Sequence, residues 1–214
     1  YQGKKVGSFG DVSCFSFDGI KNITSGEGGC VVSDDPIVIQ KIKDSRLLGV
    51  ENDTIKRYER KRSWQFDVKS QGWRYHMSDI MAAIGLEQLK KFPKFSEIRK
   101  KLAQTYDKEL SKIERIKVFE RNYNDIVPHI YVIRIKNLTN RKKLQDKLKK
   151  YGIQTGVHYN LNHNLSFFRK NNIQKLDNAE QVFKELITLP LHPEIKNKDL
   201  NYIVKSLKHC LLEN

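Results

Sequence analysis

Lys21 stands apart from the other lysines of this 214-residue chain, most of which lie beside Glu and Asp in segments with helical spacing. It falls in Asp18-Gly19-Ile20-Lys21-Asn22-Ile23-Thr24-Ser25-Gly26-Glu27-Gly28-Gly29, a run dense in turn-forming residues. An amine held there and withdrawn from bulk water loses its charged form more readily, and so becomes a nucleophile and general base able to form a Schiff base with an aldehyde. Ser16 lies five residues earlier, where its hydroxyl can bond a phosphate oxygen while the lysine reaches a carbonyl. Gly26, Gly28 and Gly29 let the backbone turn sharply or approach a ligand without a side-chain clash. The same residues also describe a hairpin with a long Asp-Gly turn in which Lys21 is merely solvated. Spacing alone leaves both readings open.

The elements around this loop follow from periodicity. Val12–Phe17 alternates as a half-buried strand does, and Gly29–Ser33 predicts a second short strand. Pro36–Leu48 has helical spacing. Residues 49–72 are polar, basic and aromatic without a period, a long loop with room for a short hairpin. Ser78-Asp79 caps a helix through Ile80, Ala83, Ile84, Leu86 and Leu89, and a second helix is predicted from Phe95 to Ile113. An alternating pattern follows: strand Ile130–Ile135, helix Arg141–Tyr151 closed by Gly152, strand Ile153–His158, then helices Asn178–Ile187 and Lys198–Leu212. The boundary is placed at Pro93, giving an incomplete α/β domain over 1–92 and a compact α+β domain over 93–214.

Composition narrows the class. A hydrophobic content of 38% suits packed cores. No run of about 18 apolar residues predicts a membrane span, and the start lacks a signal-peptide stretch, so a cytoplasmic protein without membrane partners is expected. Cys14, Cys30 and Cys210 lack metal-ligand spacing and read as small buried hydrophobes. The net charge of +15, densest at Lys56–Arg62, allows a nucleic-acid-binding module. Because basic residues run along the whole chain, the preferred reading is a solvated surface that also suits a diphosphate substrate.

The segment Ser16-Phe17-Asp18-Gly19-Ile20-Lys21 followed by Gly26-Glu27-Gly28-Gly29 closely resembles the cofactor-lysine segment of the DegT/DnrJ/EryC1/StrS family of sugar aminotransferases. Further resemblances fall in order: Gly7–Asp11, Gly72–Gly85, Gly152–Tyr159 and Leu189–Pro193. The resemblance implies an α/β chain of the type I pyridoxal-phosphate aminotransferase fold, a truncated large domain over 1–92 followed by a small α+β C-terminal domain over 93–214. It further implies pyridoxal 5′-phosphate as cofactor, Lys21 as its covalent anchor and proton shuttle, and Ser16 as a phosphate ligand. Glutamate is the implied amino donor and a nucleotide-linked keto-sugar the acceptor, in a cytoplasmic homodimer with shared active sites that serves surface polysaccharides such as O-antigen.

Two departures carry expectations of their own. Family members are nearly twice this length, and the aspartate for the pyridinium nitrogen, a helix N-terminus and a stacking aromatic belong upstream, so the chain alone is expected to be inactive or nearly so. Arg74 stands where many relatives have an asparagine that reaches the phosphate of the neighbouring subunit's cofactor; an arginine can also contact a phosphate. His158 and Tyr159 match a segment that the family places by the sugar nucleotide, although a strand-end histidine with one backbone partner fits them equally well. His158, Asn160 and His163 lack a nearby carboxylate, so no metal is expected. Trp73, Tyr75 and Met77 read as packing residues at a subunit interface, His129 and Tyr131 as structural, and His192 as a turn residue. The alternatives are a sugar dehydratase of the same family, which carries histidine in place of the lysine, a non-catalytic relic, and the nucleic-acid module.

Overall fold

A computed structural model describes residues 1–51, 59–61, 66–169 and 175–212. The chain divides into two compact units, Tyr1–Pro93 and Lys94–Asn214. Lys56–Tyr58 and Arg62 of the basic segment lie outside the described residues.

In the first unit, β1 (Ser13–Ser16) and β2 (Gly29–Val32) form an antiparallel pair in the register Phe15↔Cys30 and Ser16↔Gly29. A Cβ on Gly29 would meet the Phe15 carbonyl oxygen at 2.6 Å, so the two backbones approach too closely there for any other residue. α1 (Pro36–Ser45) starts where Asp35 Oδ1 accepts hydrogen bonds from the Ile37 and Val38 amides, with Pro36 in the first turn. Past α1, the backbone of residues 45–48 pairs with 73–75 through Trp73 N to Ser45 O, Tyr75 N to Arg46 O and Leu48 N to Trp73 O, at 2.7–2.9 Å. The chains cross at Gly49 and Gly72, where a Cβ on Gly72 would lie 1.9 Å from the Gly49 nitrogen. Within the loop predicted for 49–72, the described residues hold one bridge, Val50 with Val68.

α2 (Asp79–Leu110) corrects the prediction of two helices. Ser78 Oγ caps it by accepting from the Met81 amide. Pro93 removes one bond to the Leu89 carbonyl, yet both residues are exposed, where losing one bond costs less than in a core, and the helix runs on. The unit boundary therefore falls inside a helix.

In the second unit, β3 (Ile116–Val118), β4 (Tyr131–Ile135) and β5 (Leu186–Leu189) make an antiparallel sheet in the order β3-β4-β5. α3 (Arg141–Lys150) is capped by Asn140 and ends in a Schellman motif: Gly152, at φ +71°, donates to Lys149 O while Ile153 N donates to Leu148 O. α4 (Asp177–Glu185) gives way directly to β5, so the helix predicted to Ile187 is two elements. The predicted strand Ile153–His158 is also corrected: it pairs with Thr188 only at Gly156. α5 (Asn197–Leu212) buries Leu200, Ile203, Leu207, Cys210 and Leu211 in one core with Tyr106, Tyr131, Ile133 and Leu144. No helix among the described residues is long and apolar enough to cross a membrane.

Polar contacts tie this core together. Asp107 accepts hydrogen bonds from the Tyr131 and Tyr123 hydroxyls, both at 2.5 Å, and pairs with Arg121 at 3.1 Å. Burial first, then the bond to Asp107, pushes both phenols upward, so they stay neutral donors. Arg99, buried and with its pKa lowered by desolvation, donates to the carbonyls of His129 and Leu191. The cysteine expectation holds only for Cys210; Cys30 is half-buried and Cys14 exposed, because the β1-β2 pair has too little cover.

Candidate active site

Lys21 occupies the middle of the β1–β2 connection, and its side chain is half-buried. Phe17 N donates to Gly28 O at 2.8 Å and Ser25 N to Phe17 O at 2.9 Å, closing the connection at its base. Asp18 shapes the leading half: its carboxylate accepts from Ile20 N and its carbonyl from Lys21 N. Ser16 is exposed at the end of β1, and its Oγ accepts from Asp18 N at 3.3 Å. The Ser16 hydroxyl proton is thus left to donate, which suits a phosphate oxygen. Gly28, at φ +146°, has no room for a Cβ: one would sit 2.7 Å from Ser25 Oγ and 2.8 Å from Met77 Cε. A lysine in a pinned loop, a hydroxyl free to donate and two glycines without space for a side chain fit a phosphorylated aldehyde.

Arg74 is exposed in the segment paired with 46–48, next to stacked Trp73 and Tyr75, whose centroids are 6.3 Å apart. With Arg46, Lys43 and His76 it lines a cavity of about 770 Å³ whose other walls include Phe15 and Met81. The Arg46 Nε and His76 Nδ1 are buried there without a hydrogen-bond partner among the described residues. Basic groups gather on this wall, opposed by the single carboxylate of Glu27.

In the second unit, His158 is half-buried and its Nδ1 lies 2.9 Å from Thr188 Oγ1. The histidine therefore has a side-chain partner on β5, not the backbone partner considered from sequence. Tyr159 packs edge-on against it at 4.7 Å and remains 61% exposed. His158, Thr188, His192, Glu194 and Tyr202 line a cavity of about 620 Å³. Its far wall is held in place by α2, since Tyr106 donates to Pro190 O at 3.0 Å and Arg99 to Leu191 O. His163 Nε2 lies 3.5 Å from Glu180.

Lys21 and Ser16 thus share one loop and Arg74 stands in the same unit, whereas His158 and Tyr159 belong to the other. Sequence reading missed Thr24, Ser25 and Gly85, which fix the lysine loop; a hydroxyl pair before Gly26 was the available signal. Thr188 lies one residue past the predicted helix end at Ile187, and nothing local in the sequence marks it as the partner of His158.

Comparison with known proteins gives consistent matches. The model of the DegT/DnrJ/EryC1/StrS aminotransferase family matches residues 1–208. The chain is 35% identical to the UDP-4-amino-4,6-dideoxy-N-acetyl-beta-L-altrosamine transaminase of Campylobacter jejuni subsp. jejuni, over 97% of this chain and 54% of that protein. Among solved structures it is similar to Helicobacter pylori PseC, an aminotransferase involved in the biosynthesis of pseudoaminic acid (30% identity, TM-score 0.86, 100% of this chain and 57% of that one). It is also similar to the PLP-form of the putative sugar aminotransferase Spr1654 of Streptococcus pneumoniae (27% identity, TM-score 0.86, 100% and 55%). The chain spans about half the length of the relatives it matches.

Proposed function

The chain belongs to the DegT/DnrJ/EryC1/StrS aminotransferase family, and from that premise we propose that it forms part of an enzyme moving an amino group from glutamate to a nucleotide-linked keto-sugar for surface polysaccharide. Pyridoxal phosphate is the cofactor of this family. When bound it supplies an electron sink for the carbon that loses its proton. Residues 1–92 are read as the C-terminal part of the domain that holds it and 93–214 as the small domain, in a cytoplasmic homodimer whose subunits share each site.

The residues divide the work. Lys21 Nζ would hold the cofactor covalently and would serve as the base that moves the proton at the donor's Cα. Ser16 donates its hydroxyl to the phosphate, while Arg74 offers a cation to a phosphate. His158, oriented by Thr188, and Tyr159 contact the sugar nucleotide. The observation that carries this reading is the closed connection with Lys21 at its middle and Ser16 at its base. Lys21, where the family's sugar dehydratases have histidine, favours amino transfer.

The test uses the full-length protein. Incubated with pyridoxal phosphate and reduced with borohydride, it acquires a covalent label that peptide mass spectrometry assigns to Lys21, and Lys21→Ala loses both label and at least about 10³-fold of the transamination rate. A label on another lysine, or none, overturns the reading. The present chain alone is expected to show no measurable activity.

A further inference from the structure

Resting on the reading of Lys21 as the cofactor lysine, we infer that Ser25, assisted by Thr24, is the positioning residue that sets where the Lys21 amine stands. The connection between β1 and β2 runs over residues 17–28, long enough to populate many conformations if only its ends were fixed. Four hydrogen bonds converge on its return limb. Ser25 N and Thr24 Oγ1 both donate to Phe17 O, at 2.9 and 3.2 Å; Gly26 N donates to Thr24 Oγ1 at 2.9 Å; Ser25 Oγ donates to Glu27 O at 2.7 Å. Lys21 lies four residues from Phe17 and four from Ser25, at the centre of the ring that these bonds close.

Burial points to the same residue. Ser25 has no exposed surface, while the rest of the connection is half-buried or exposed. It packs between Gly28 and α2: a Cβ built on Gly85 would stand 3.5 Å from the Ser25 Cβ, and one on Gly28 2.7 Å from the Ser25 Oγ. A serine at a fully buried position brings a polar group out of water, a cost offset here by the Glu27 carbonyl. Its hydroxyl therefore adds direction where an alanine would only fill space. A shift of about 1 Å in a reacting group costs on the order of 10²-fold in rate, so a loop that holds a nucleophile gains from such an anchor.

The test again uses the full-length protein, with Ser25→Ala and Thr24→Val. In each variant without cofactor, amide exchange over residues 17–28 rises about tenfold, and borohydride-fixed capture of pyridoxal phosphate at Lys21 slows about five- to twentyfold. Binding of pyridoxine 5′-phosphate, which has the ring and phosphate but no aldehyde, stays within about twofold, because Ser16 is untouched. Capture at the wild-type rate in both variants overturns the inference. So does a parallel loss of pyridoxine phosphate binding, which marks a merely structural role. If Ser25→Ala does not fold, Thr24→Val, at a half-buried position, decides alone. Wild-type label away from Lys21 defeats the proposed function itself and this inference with it, an outcome distinct from variants that match a wild type labelled at Lys21.

Discussion

The two units bury their apolar residues to very different degrees. Lys94–Asn214 closes around a core that includes Tyr106, Tyr131, Leu148, Leu200 and Leu207, all fully buried. Among the described residues of Tyr1–Pro93, only Leu47 and Val50 join the buried hydrophobics, while Ile37 and Ile80 are 77% and 76% exposed. The first half of α2 shows why. Ile80 and Ile84 lie on one side, Leu86 and Leu89 on nearly the opposite side, and Met81 and Gly85 face the β1–β2 connection. From Ile80 to Leu86 no charged or polar side chain interrupts these faces, the pattern of a buried helix segment. The first unit thus carries the surface of a core that needs more protein to cover it, in keeping with a chain about half as long as its relatives. Charge differs as well: Lys94–Asn214 holds 25 Lys and Arg against 13 Asp and Glu, whereas Tyr1–Pro93 holds 15 against 12. The excess read from sequence as chain-wide belongs mainly to the unit that folds on its own core, where a repulsive surface is tolerated.

The strongest test of this contrast is separation. Residues 94–214 expressed alone should melt cooperatively with dispersed amide resonances, whereas residues 1–93 alone should show neither. A cooperative, monomeric melt of 1–93 would break the comparison. Next in size come matched truncations. Tyr131→Ala removes a fully buried ring, its stack on Tyr106 at 4.7 Å and its bond to Asp107, and should destabilise the second unit by about 3–5 kcal/mol in chemical denaturation. Ile80→Ala in this chain should change stability by less than about 0.5 kcal/mol.

How much of this was legible in the sequence depended on whether an element's signal was local. The Lys21 connection was readable because turn-formers and glycines sit between two alternating segments. α1 and α3 were readable from Asp35-Pro36, and from Leu144, Leu148 and Gly152. β5 was not: Val182, Phe183, Leu186 and Ile187 continue at helical spacing, and only pairing with Tyr131–Arg134 makes the last part a strand. Thr188 follows directly, and its place beside His158 comes from a contact between residues thirty apart in sequence. β3 has three residues, too few for a period. The continuity of α2 through Pro93 was hidden because a proline rule counts the lost bond but not the exposure of the site, where that loss is cheap. At the site, composition exposed Lys21, while Ser25 packs against Gly85, sixty residues away in sequence.

A charge test sharpens the picture at intermediate size. Glu185 is buried, and its hydrogen bond to Arg134, with a second from the Asn137 amide, holds its carboxyl below the ordinary value of 4.5. A group lowered in the folded state contributes fully above its unfolded value and loses that contribution as pH falls through the folded one. The melting temperature of the second unit should therefore drop below about pH 4.5 more steeply in wild type than in Glu185→Gln, which at neutral pH should be weaker by about 1–3 kcal/mol. Parallel acid limbs in the two proteins would show that the pair does not hold the sheet.

The smallest expected effect compares two tyrosine hydroxyls. Tyr106 is fully buried, its phenol is pushed upward by burial, and its O–H donates to Pro190 O at 3.0 Å. Tyr106→Phe keeps the ring against Tyr131 but leaves the Pro190 carbonyl without that donor, which should cost about 1 kcal/mol, or about 2–4 °C in melting temperature. Tyr75, 76% exposed in the first unit, keeps its stack on Trp73 when changed to Phe and has no hydroxyl partner among the described residues, so Tyr75→Phe should leave the melt unchanged. Equal shifts for the two would mean that the first unit is as closely packed as the second. A shift for Tyr75→Phe that arises only when further protein or a second subunit is present would instead place Tyr75 at a covered surface, since a hydrogen bond gains strength once water is excluded from it.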